Sequence, residues 1–151
     1  MKTVLVYGGM LYARALFQTA TERSQAVVER NHVLTVLGTL HAEVDIQKVI
    51  ACGVDGAGSV ALSWASIVNV DFDMFSADFT RYGSRAMTVR DDFALEDAAP
   101  DIVVVFPSKD DPYMVEFLAR ARMHQLRRVF EVRPCCEQHP LPVLSPATAV
   151  Q

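Results

Sequence analysis

A chain of 151 residues with 51% hydrophobic and 21% charged side chains is long enough to close one core without staples and too apolar to be disordered. A net charge of −4 excludes a protein living on non-specific nucleic-acid contacts, which need clustered basic charge. No apolar run approaches the roughly 20 residues that span a bilayer, so no membrane partner is expected.

The opening MKTVLVYGG is too short in its apolar part for a signal peptide and reads as a strand. Three cysteines without a framework spacing fit a reducing, cytoplasmic setting. Thr3 to Tyr7, closed by Gly8 and Gly9, is the expected central strand. Leu11 to Arg30 then reads as one helix, with Phe17, Ala20, Val27 and Val28 on a common face. Asn31 reads as the cap of a second helix, in which Val33, Val36, Leu37, Leu40 and Val44 recur at helical spacing.

The stretch KVIACGVDGAG, Lys48 to Gly58, is a short buried strand running into a turn. Gly53, Gly56 and Gly58 permit a sharp turn and close approach of the backbone to another group. Ser59 is the expected cap of the next helix, which carries Val60, Trp64, Ile67 and Val68. Val70 to Phe75 alternates as a third strand, and Ser76 to Arg85 is a loop. A helix over Ser84 to Ala98 follows, with Val89, Phe93 and Ala86 facing in. Asp101 to Phe106, stopped by Pro107, is the clearest buried strand. Beyond a polar loop at 108–111, a helix carries Val115, Leu118, Ala119 and Met123 inward and pairs Glu116 with Arg120. Arg128 to Val132 is a last strand. Residues 1–132 thus form one domain, and 133–151, with four prolines and no period, form a proline-rich tail.

Strands alternating with helices predict an α/β fold, a Rossmann-like three-layer sandwich. Its mostly parallel five-stranded sheet carries helices on both faces, with an extra N-terminal helix. Ligands of such sheets bind at the carboxyl ends of the strands. Four segments converge there: Gly8 and Gly9, Cys52 to Gly58, Ser76 to Arg90, and Pro107 to Asp111.

These segments, LVYGG, ACGVDGAG, FSADF, YGSRAMTVRDDFAL and PDIVVVFPSKDDPYMV, occur in the order of a known signature. The chain resembles the SLOG superfamily in its YspA-like branch, whose relatives include lysine-decarboxylase-like phosphoribohydrolases and the DNA-processing protein DprA. The resemblance covers about two thirds of the chain and implies a Rossmann-like fold. Arg90 matches the family's arginine, and a guanidinium can hold phosphate bidentately. Asp78 matches the acid of the FSADF segment, suited to a ribose hydroxyl or to fixing the loop. Arg81 and Arg85 flank the same loop and complete an anion site or remain solvated. The family's arginine after Gly8-Gly9 is replaced by Met10, and its GGxGT loop after Pro107 by SKDDP, where Ser108 and Lys109 remain as ligand contacts while Asp110 and Asp111 repel phosphate.

The resulting expectation is a binder of a nucleotide or nucleotide-derived small molecule, ADP-ribose-like or a nucleoside phosphate, without efficient catalysis. Its contacts are Gly8, Gly9, Gly53, Gly56, Asp78, Arg81, Arg85, Arg90, Ser108 and Lys109. Alternatives are an N-glycosidic or phosphoribosyl hydrolase, and a protein-interaction or inhibitor module of phage origin. No catalytic residue can be named, and no cofactor is implied. Asp91, Asp92 and Glu96 read as a solvated face, and His32, His41 and His124 as ordinary polar positions. Cys135, Cys136 and His139 are too weak a pattern for zinc. A homodimer or higher homo-oligomer is the family's prior.

Overall fold

The computed structural model describes residues 2–8, 12–14, 16–52, 56–106, 112–123, 128–132 and 144–146. They form an α/β fold around a parallel sheet. The strands are β1 (Lys2–Gly8), β2 (Ile46–Cys52), β3 (Asp71–Phe75), β4 (Ile102–Phe106), β5 (Arg128–Val132) and β6 (Leu144–Pro146). Their order is β3-β2-β1-β4-β5-β6. The first five run parallel; β6 pairs antiparallel with β5, Phe130 opposite Pro146. The sheet therefore has one strand more than the five expected, and that strand lies in the segment read as a tail. Its three residues, LSP, are too short and too proline-bounded to announce a strand by periodicity.

The apolar runs explain the centre of the sheet. β1 is flanked on both sides, pairing Leu5 with Ile50 of β2 and with Val103 of β4. Val4, Leu5 and Val6 are fully buried, as are all five residues of β4. Alternation along β1 divides the core in two. Val4 and Val6 meet Val33, Val36, Leu37 and Leu40 of α1 (Ala20–Val44) together with Val60, Ala61 and Trp64 of α2 (Ala57–Ile67). Leu5 and Tyr7 meet Ala94 and Leu95 of α4 (Ala86–Glu96) and Phe117 of α5 (Pro112–Met123). The Tyr7 and Phe117 rings stack at 3.8 Å.

The two helices expected before β2 are one. α1 runs 25 residues without interruption through Asn31. Its cap is Thr19, whose hydroxyl accepts the Glu22 amide at 3.1 Å. Residues 12–14 and 16–19 before it are not helical: Ala13 lies at φ 52°, and its amide donates to Glu29. Asn31 does not cap, because the buried stripe of Ala26, Val33, Val36, Leu37 and Leu40 continues across it. The separate extra N-terminal helix is accordingly replaced by a longer first helix.

Two histidines have structural roles that their helical positions did not reveal. His32 is buried, with Nδ1 2.8 Å from the Tyr12 hydroxyl and its ring edge-on to Phe106. His41 Nδ1 accepts the Ile46 amide and so ties the end of α1 to the start of β2. Among the described residues no helix is long and apolar enough to cross a membrane.

Candidate functional site

The carboxyl ends of β1, β2 and β4 lie along one rim. The segments 9–11, 53–55 and 107–111 that leave this rim fall outside the described residues, and with them the expected contacts Gly9, Gly53, Ser108 and Lys109. Gly8 does reach the rim at the end of β1. A Cβ at Gly8 would stand 2.6 Å from the Ala57 Cβ, so a glycine lets the start of α2 press against β1. Gly56 begins α2 at φ 74° and ψ −145°, a backbone region open to glycine. It, and not Ser59, is the N-cap, and it makes no side-chain cap hydrogen bond.

At the end of β3 the chain makes a short helix, α3 (Phe79–Tyr82), then a 3-10 turn (Gly83–Arg85), then α4. Asp78 caps α3: its Oδ1 accepts the Arg81 amide at 3.0 Å. A pocket of about 230 Å³ opens between this turn and α4, lined by Phe75, Ser76, Asp78, Tyr82, Ala86, Val89, Arg90 and Phe93. Two of the expected contacts, Asp78 and Arg90, therefore share one pocket. Arg81 and Arg85 are exposed and do not line it. The Arg81 guanidinium instead lies 5.2 Å from the centre of the Tyr82 ring, on which it stacks.

Arg90 is neither free nor solvated. Its Nε and Nη2 both donate to Asp91 Oδ1, at 3.0 and 2.8 Å, and the two side chains are 9% and 7% exposed. The guanidinium also lies 5.9 Å from the Tyr7 ring centre, and the Tyr7 hydroxyl makes a long 3.5 Å contact with Asp91 Oδ2. Burial pushes the Asp91 carboxyl above its usual range, against the pull of Arg90. Burial pulls the Arg90 guanidinium down, but the charge and hydrogen bonds of Asp91, together with Cys52 and Tyr7, outweigh it and raise the group above its ordinary value. Beside this pair, burial raises the Cys52 thiol to about 12, so the thiol is not ionised at neutral pH.

Asp91 does not belong to a solvated face, as expected from the sequence; it is one of the two buried polar residues among those described. Its spacing with Ala94 and Leu95, i, i+3 and i+4, was the signal that places it on the inner face of α4. Phe93 points outward, 49% exposed, and lines the pocket where core packing was expected. Asp92 is also paired: Arg120 of α5 grips it at 2.7 and 2.8 Å while keeping its helical partner Glu116 at 3.2 Å. Among the described residues no three His, Cys, Asp or Glu side chains converge as a metal site would need.

Chemically the site offers aromatic surface, a carboxylate at the mouth and a neutralised ion pair behind it. Among the described residues the Cys52 thiol is raised by burial and Glu116 is held by Arg120. Comparison with protein families, with curated proteins and with solved structures yields no match for this chain.

Proposed function

We propose that the chain is a three-layer, Rossmann-like domain of the SLOG type that binds a nucleotide or nucleotide-derived small molecule at the carboxyl rim of its sheet, without efficient catalysis. The ligand class is ADP-ribose-like or a nucleoside phosphate, and the setting is cytoplasmic, with the chain as a homo-oligomer. The observation that carries the reading is the meeting of Asp78 and Arg90, the two positions that match the family motifs, on one pocket beyond β3. Aromatic walls suit a base, and an exposed carboxylate suits a hydroxyl.

A thermal-shift panel of ADP-ribose, AMP, GMP and CMP tests the reading. A ligand at a hundredfold its dissociation constant stabilises by about 2.7 kcal/mol, a rise of roughly 5 °C or more for a domain of this size. A panel without any shift overturns the proposal. Tyr82→Ala is the informative variant, since Tyr82 is 39% exposed and lines the pocket. Arg90→Ala is a poor probe: it strands the buried Asp91 carboxylate and costs about 3–5 kcal/mol of stability on its own.

One observation favours a second reading, a protein-interaction module. The N-terminal half of α1 and its approach expose Leu16, Phe17, Val27 and Val28, which belong to no core cluster.

A further inference from the structure

Charge and shape at the pocket mouth select among the parts of a ligand. Phe75, Tyr82, Val89 and Phe93 supply the walls, and Phe75 and Phe93 meet edge to face with centroids 5.4 Å apart at 62°. The polar groups are Ser76, Asp78 and Arg90. The Arg90 fork is already closed on Asp91, so the pair contributes no net charge, and Asp78 is the other charged residue of the lining. A phosphate approaching Arg90 meets Asp91 and Asp78 as well, and both repel it. A planar uncharged ring meets no such penalty. It stacks on the aromatic walls, and an N–H on its edge faces Asp78, whose Oδ1 holds the Arg81 amide while the residue stays exposed. Whole small-molecule sites occupy roughly 300–1,000 Å³, so a pocket of about 230 Å³ takes one ring and not an entire nucleotide.

We propose that this pocket recognises the uncharged heterocycle of its ligand, a purine or pyrimidine ring held by Phe75, Tyr82 and Phe93, and that a phosphate on the same ligand adds little to binding. The inference rests on the nucleotide-binding reading above and specifies which part of the ligand that site reads.

Titration calorimetry of the full chain with adenosine, cytidine, AMP, CMP and ribose 5-phosphate tests it. A nucleoside is expected to bind within about threefold of its own monophosphate, and ribose 5-phosphate not to bind. Phe93→Ala, which truncates a half-exposed ring, is expected to weaken nucleoside binding by about tenfold, the worth of one base–aromatic stack. Val115→Ala, at an exposed position of α5, serves as the control and leaves binding unchanged. If monophosphates bind and nucleosides do not, or if ribose 5-phosphate binds alone, the ring proposal falls while nucleotide binding stands. If neither Phe93→Ala nor Tyr82→Ala weakens a nucleoside that does bind, the proposal also falls, because the ring sits elsewhere. If no probe binds, the ring proposal falls, and the thermal-shift panel with ADP-ribose and GMP decides the nucleotide-binding reading.

Discussion

Single residues set the geometry of the rim. Gly8 is glycine for a steric reason: the nearest obstacle to a side chain is the Ala57 Cβ, anchored to a helix backbone that cannot swing aside. Gly8→Ala is therefore expected to force β1 and α2 apart and to destabilise by about 1–3 kcal/mol, read from the midpoint of urea unfolding. His32 carries a pH signature. Burial holds its imidazole below the ordinary value of 6.5. Between the two values the unfolded chain binds more protons than the folded one, so stability rises with pH through that window and is complete above the unfolded value. Unfolding midpoints measured from pH 5 to about 7.5 are expected to fall on acidification below about 6.5, and to fall less in His32→Gln. Equal slopes in the two proteins would refute the assignment. Neither effect was legible from the residues alone. Gly8 read only as the close of a strand and a ligand contact, and His32 sits on a helix whose partner Tyr12 comes from a non-helical segment.

At the scale of elements, α4 does two jobs with opposite faces. Inward it brings Asp91, Ala94 and Leu95 toward the sheet; outward it offers Val89 and Phe93 to the pocket. Arg120 then clamps α4 to α5 through Asp92, a bidentate contact between side chains about a third exposed. Solvent screens much of that attraction, so Arg120→Ala is expected to cost only about 0.5–1 kcal/mol in the same unfolding measurement. A loss above about 3 kcal/mol would mean that the clamp carries a buried-pair energy instead. The order and type of the elements were readable, because strand runs of four or five apolar residues and helical stripes are local signals. The junctions were not. α1 is one helix because its inner stripe stays in register across Asn31, and α2 starts at a glycine cap because Ala57 must meet β1.

At the scale of the molecule, the sheet ends in an edge strand. Among the described residues β3 pairs with β2 alone, and its Phe72 and Met74 are 48% and 43% exposed, although the strand alternates as a half-buried one should. Lys48 and Asp73 form an ion pair on this margin, a charge placement that discourages edge-to-edge pairing. Leu16, Phe17, Val27 and Val28 form one of the exposed apolar surfaces, at the start of α1. If that surface joins copies of the chain, Val28→Glu is expected to shift the species seen by sedimentation toward monomer without loss of helix content. An unchanged distribution would remove α1 from consideration as the contact. The sequence by itself determined the alternation of strands and helices and the identity of β1, β2 and β4 as the buried centre, since apolar runs are written residue by residue. Only the tertiary structure decided that Arg90 is closed on a buried Asp91, that Asp78 and Arg90 share an aromatic pocket, and that α1 is unbroken. Pairing and burial depend on which distant segments meet, and no local pattern encodes the distance between them.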